Sequence, residues 1–342
     1  MSSTDEHLTL AQWQAMSPAQ QEEFAQRIPE RIGKLRFEFG GVHEQTFLDR
    51  TERMAWFYHE DGQEFVLVPG TTATIGFDVE KFKPTKEQQE SFDDIREELL
   101  EPWTLTQFLT RFMTKPRNVT IRPMLVERNP RTASKGPIDQ NDPELLALIK
   151  EGKSIDPEDD SDGRMRHRDE TEGKIGLTLF KDGTHQAWRV RNQVTHGEIV
   201  AEMAAQGFRL PTSDEWEYLC AGGATTMFRW GDEHPMYKYP NETLAWAQRR
   251  SKTALAIEDF TLNWEPNCFG LFIATDSYET ELVAEPGIVR GGDGGGNVCG
   301  GTGYFLGWLP IATAFCDDVM GAHYKEDDVH WLSVRRVVDL PE

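Results

Sequence analysis

A chain of 342 residues with 38% apolar and 27% charged side chains can bury a full core, which sets it apart from disordered and membrane-embedded proteins. Lys and Arg number 36 against 58 Asp and Glu, and the net charge of −22 repels nucleic-acid backbones and anionic lipid while attracting basic partners. No apolar run approaches the ~18–20 residues of a membrane span, and Met1-Ser-Ser-Thr-Asp-Glu-His lacks the features of a secretory signal, so a cytoplasmic location is expected.

In chain order, residues 8–33 carry apolar side chains at helical spacing, from Leu10 and Trp13 through a Ser17-Pro18 restart to Phe24, Ile28 and Ile32. Residues 35–60 mix short strand-like stretches with charge, with a helix expected over residues 51–58; residues 1–60 are read as a helical N-terminal extension and residues 61–342 as the main domain. Glu64–Gly70 and Thr74–Phe77 read as two strands joined by a Pro69-Gly70 turn. A helix capped by Thr104 should turn Leu105, Phe108, Leu109 and Phe112 inward. Residues 128–174, with the acidic run 155–163, read as an exposed, mobile insertion. Its spaced acids lack the closing glutamate of an EF-hand loop.

Strands are expected over residues 176–180 and 187–190. Thr195 with Glu198, and Thr212 with Glu215, form two capping boxes, each opening a helix. The first should place Ile199, Met203 and Ala204 on one side, the second Trp216, Leu219 and Cys220. Gly222-Gly223 stops the second helix, and Phe228-Arg-Trp-Gly-Asp232 crosses back as an aromatic turn.

The segment Phe208-Arg-Leu-Pro-Thr-Ser-Asp-Glu-Trp-Glu-Tyr218 followed by Trp230-Gly-Asp232 resembles the core motif of the formylglycine-generating enzyme (sulfatase-modifying factor) superfamily. Glu64–Phe77, the Thr104 helix, Asn267-Cys-Phe-Gly-Leu271, Val289-Arg-Gly-Gly292 and Ser333–Leu340 are similar to further family motifs, in the same order. The resemblance covers roughly residues 64–342. It implies an α+β chain of C-type-lectin-like fold, with short strands separated by irregular segments and the segments 64–76 and 333–340 close together.

The resemblance also implies sites. Copper-dependent relatives bind Cu(I) through two thiolates after the Arg-Gly-Gly strand, and soft ligands of that type suit the ion. Cys299 stands near the first position, but Tyr304 occupies the spacing of the second, which leaves Cys316 as the candidate partner. Cys220 and Cys268 read as core. Where relatives hold calcium, Ser277 and Thr280 replace the usual Asn and Glu, leaving Asp276, Glu279 and Glu281 as oxygen ligands. His7, His43 and His59 do not supply the ligand set of the iron-dependent relatives. His323 and His330 around Lys325–Asp328 read as an exposed loop. Gly291–Asn297 has neither the lysine nor the helix signal of a phosphate cradle.

Residues 293–330 depart most from the family. There the glycine-rich segment, with Tyr304, Phe305 and Trp308 as clustered, partly exposed anchors and Arg290 leading in, is expected to form a recognition surface for a peptide, protein or small-molecule ligand. A binding member of the family using that surface is the favoured reading. The alternative is a metal- and oxygen-dependent oxidoreductase acting on a peptide or thiol through Cys299 and Cys316.

Overall fold

The computed structural model describes residues 8–33, 35–98, 102–151, 165–167, 173–179, 185–250, 258–323 and 328–341. The architecture is mixed α+β, with helices set around several small, mainly antiparallel sheets.

Three short helices, Leu10–Ala15, Pro18–Gln26 and Ile28–Ile32, open the chain. Thr9 with Gln12 and Ser17 with Gln20 cap the first two reciprocally, satisfying amides that a helix start leaves orphaned. Trp13 is buried and donates its indole N–H to the Arg53 carbonyl at 2.6 Å, which docks these helices on the next strands of the chain.

The expected helical extension ends at Ile32. Phe37–Phe47 and Arg50–His59 instead form a long antiparallel hairpin, paired from Phe37↔His59 to Phe47↔Arg50. They join Glu64–Val68, Met124–Glu127 and Val337–Asp339 in one five-stranded sheet, so a boundary at residue 60 falls inside that sheet. The helix expected over residues 51–58 is a strand because both faces of this sheet are covered. Met54, Val66, Val68, Met124, Val126 and Val337 face one apolar core. Ala55, Phe57, Phe65, Leu67, Leu125 and Val338 face the other. A strand buried on both sides shows no polar alternation, and its apolar run is easily taken for a helix turn.

The Pro69-Gly70 hairpin is also corrected. Thr71–Ile75 pairs with Arg117–Ile121 in a separate ladder rather than with Glu64–Val68. Gly70 spends its backbone on the N-terminal segment: its N–H donates to the Leu8 carbonyl at 2.9 Å and its carbonyl accepts from Leu10 at 2.7 Å. Downstream, helices Lys86–Ile95 and Leu105–Phe112 carry capping boxes at Thr85 and Thr104.

Within the expected insertion, Arg131–Thr132 pairs with Ser333–Val334 and Lys135–Gly136 pairs with His185–Val190. The helix Pro143–Glu151 packs Leu145 against Ile175 and Leu177 in a small core of its own. Residues 128–151 are thus tied into sheets and a core, because the apolar face of that helix has strands to cover it. The acidic run 155–163 lies outside the described residues.

The chain closes on Ser333–Val334 and Val337–Asp339, which belong to different sheets. Between them Arg335 and Arg336 are buried, the first paired with Glu281 at 2.9 Å and the second with Glu127 at 2.8 Å. Guanidiniums taken out of water need such partners, and removing one carboxylate would cost about 3–5 kcal/mol. Glu64–Val68 and Val337–Asp339 flank Met124–Glu127 on either side, which places the two end segments close together as expected.

Candidate functional site

The strand Val289–Arg290 pairs with Glu281–Leu282 and delivers the chain into the glycine-rich loop. Glycines are required there by close approach. A Cβ at Gly291 would sit 2.8 Å from the Trp216 ring, and one at Gly295 would sit 2.2 Å from the Tyr278 ring. Asp293 organises the rest of the loop. Its carboxylate accepts from the Gly295 and Asn297 amides, each at 2.9 Å, and from the Asn297 side chain at 2.6 Å. These bonds start a short helix, Gly296–Gly300, which the sequence did not signal because the accepting aspartate lies two residues before the N-cap, itself a glycine. Burial nonetheless pushes the Asp293 carboxyl above its ordinary value.

Cys299 is exposed on that helix, and its Sγ lies 2.9 Å from the Tyr278 hydroxyl. This hydrogen bond, with burial adding to it, pushes the Tyr278 phenol up to about 12. Trp331 lies on the same loop, its ring 3.6 Å from where a Gly294 Cβ would stand. Tyr278 is 40% and Trp331 44% exposed.

The anchors expected at this surface lie elsewhere. Trp308 is 0% exposed, and Phe305 is equally buried. A second short helix, Gly303–Trp308, turns Phe305, Leu306 and Trp308 inward, and Gly307 lets the Tyr239 ring close onto its backbone. The Trp308 indole donates to the Lys238 carbonyl at 2.8 Å. Its ring meets Phe228, Trp230 and Phe260 edge-on and stacks on His234 at 5.9 Å. Tyr304 is half-buried, with its hydroxyl accepting from Arg250 at 3.1 Å and its ring 5.0 Å from Tyr239. Arg290 is buried as well. Its donors are spent on Ser213 Oγ, the Phe315 carbonyl and Glu217, so it braces the strand rather than meeting a ligand.

The candidate metal ligands are likewise occupied or dispersed. Glu281 grips Arg335 through both oxygens, at 3.1 and 2.9 Å, and is not available to a cation. Glu279 accepts from Thr275 at 2.9 Å, and Asp276 accepts from the Tyr278 amide at 3.0 Å. Among the described residues no group of three or more His, Cys, Asp or Glu side chains gathers where a metal ion would sit. The acidic trio therefore does not fit calcium. Burial pushes the Cys316 thiol up against the opposing pull of Arg290, whereas the thiol of Cys299 meets Tyr278. Cys220 and Cys268 are buried core residues, as expected, with thiols pushed up by burial to about 12 and about 11. His330 pairs with Asp328, while residues 324–327 lie outside the described residues.

Sequence reasoning missed Tyr278 and Trp331. The available signal was an aromatic set among acids, Asp276-Ser-Tyr-Glu279, opposite a run of glycines. Burial also pushes the Asp276 and Glu279 carboxyls above their ordinary values, and among the described residues neither forms an ion pair. Two carboxyls without an ion-pair partner among the described residues, the second eased in part by Arg335, thus flank an exposed tyrosine. Comparison with protein-family models and with curated proteins finds no match for this chain.

Proposed function

We propose that this chain is a binding protein on a formylglycine-generating-enzyme-like, C-type-lectin-like scaffold, and that it takes a basic peptide segment at the face formed by Tyr278, Trp331 and the Gly294-Gly295 backbone. The observation that carries the reading is the pair of exposed aromatic rings held against a glycine backbone beside under-compensated carboxyls. Exposed aromatics supply contact area at low entropic cost. Asp276 and Glu279 supply the charge that a Lys or Arg side chain completes, and the net charge of −22 steers such a partner in. The scaffold assignment is supported by the family-like motifs running in order along residues 64–342 and by Glu64–Val68 and Val337–Asp339 lying in one sheet.

An array of decapeptides with net charge of about +3 or more, alongside neutral scrambled controls, tests the reading. The full-length protein should retain basic peptides selectively, and the double variant Tyr278→Ala/Trp331→Ala should lose them. Equal retention of the neutral controls, or retention unchanged in the double variant, would sink the proposal.

A further inference from the structure

A cleft of about 200 Å³ lies away from the glycine-rich loop, between the hairpin turn at residues 47–50 and the Gly222-Gly223 turn that ends the helix Ser213–Ala221. Phe47, Leu48, Ala221, Trp230, Arg50 and Arg229 line it, and exposed Asp49 is the one carboxylate among its lining residues. In so acidic a chain, two guanidiniums against one acid is a local reversal of charge.

Among the described residues neither arginine pairs with a carboxylate, although the Phe47 and Trp230 rings lie 5.7 and 5.3 Å from the Arg229 guanidinium. Arg229 is 5% exposed and donates only to backbone carbonyls, those of Ile273 and Ala274 through Nη1 and of Leu262, Asn263 and Glu265 through Nη2. Its Nε–H is buried with no acceptor. Arg50 donates to the Gly222 carbonyl, and among the described residues no carboxylate lies within ion-pairing distance of either arginine. By contrast Arg290, Arg335 and Arg336, buried to the same degree, each hold a glutamate. Burying a cation without a counter-charge is costly, and a native chain retains it where something else supplies the charge. Burial pulls Arg229 down to about 10, so it remains a cation at neutral pH.

The cleft is built rather than incidental. Gly222 and Gly223 both have positive φ, 54° and 86°. A Cβ on the first would stand 2.8 Å from Cys268 Sγ, and one on the second 3.0 Å from the Arg50 guanidinium, so the glycine turn is what leaves Arg50 room. Leu48 holds a left-handed φ of 55° at the hairpin turn, a conformation that is strained for a branched side chain.

We infer that this cleft binds a small organic anion, a carboxylate or monophosphate headed by Arg50 with its apolar body against Phe47, Ala221 and Trp230. Arg50 makes the direct contact, with the planar fork that suits either oxyanion. Arg229, in the wall, adds a fixed positive charge in a poorly solvated setting. The Cys268 thiol beside them, pushed up by burial, stays protonated at neutral pH.

The test is thermal denaturation of the full chain with acetate, benzoate or inorganic phosphate at constant ionic strength, sodium chloride serving as the control. Wild-type Tm should rise saturably with at least one of the three, by mass action on the folded state. Arg50→Gln should weaken that response at least tenfold. Ala224→Glu, at a lining position that places a carboxylate in the cleft, should fold and abolish the response by supplying the anion internally. The Ala224 variant decides the matter if Arg50→Gln fails to fold. No rise with any of the three anions, or a rise that survives either variant unchanged, would overturn the inference.

Discussion

Two aromatic groups lie within the same stretch of chain and have opposite fates. Trp308 and Phe305 sit in a ring-lined interior with His234, Phe228 and Phe260. Tyr278 and Trp331 lie against the glycine-rich loop and remain open to solvent. The difference teaches that a glycine-rich, aromatic-rich segment is not one surface. The glycines from 291 to 296 bring neighbouring backbone and rings close to the outside of the loop, whereas those at 303 and 307 allow a helix to press its rings inward.

The comparison would break first at Trp308. Trp308→Ala should cost about 3–5 kcal/mol of stability in denaturant unfolding, the scale for emptying a core aromatic site. A cost under about 1 kcal/mol would place that ring outside the core. Next is acid sensitivity. His234 is buried with its Nε2 unpartnered, and burial pulls it from 6.5 to about 4. The folded state therefore favours the neutral ring, while the unfolded chain takes up a proton below 6.5. The stability His234 contributes is full above pH 6.5 and declines as pH falls toward 4, by about 3 kcal/mol in total. His234→Phe should flatten the pH dependence of Tm across that window, and an unchanged slope would contradict the burial of the ring.

Smaller effects sharpen the exposed side. Gly295→Ala meets both a φ of 78° and the Tyr278 ring, so it should displace that ring and cost about 1–2 kcal/mol of stability. Peptide retention should fall with it. Loss of stability with retention intact would show that Tyr278 is not a contact. Lowering the pH should also weaken retention. Because burial raises Asp276 and Glu279, their protonation sets in above the ordinary carboxylate range, and binding should fade before most surface carboxylates titrate.

How much of the molecule was legible in its sequence depends on the range of the interactions. The cap at Thr104 and the capping boxes at Thr195 and Thr212 are local events within one helical turn, and all three form as read, Thr104 with a reciprocal bond to Gln107 besides. Ile199 and Met203 face inward on the Thr195 helix, but Ala204 is exposed, since the sheet covers only part of that stripe. In the hairpin Phe37–His59, residues 51–58 were read as helix because Met54, Ala55 and Phe57, covered from both faces of the sheet, break the alternation of a strand. The burial of Trp308 was missed because it depends on Lys238 and Tyr239, some seventy residues away. Glu281 has the chemistry of a calcium ligand, but Arg335, from the closing segment, holds it.

The most direct test is calorimetric titration of the tightest basic decapeptide from the array into wild-type protein and into Tyr278→Ala/Trp331→Ala. The double variant should bind about 2 kcal/mol or more weaker, near thirtyfold, with stability changed by less than about 1 kcal/mol because little buried area is lost. Undiminished affinity in the double variant would contradict the account, and so would a loss of affinity matched by a collapse of the fold.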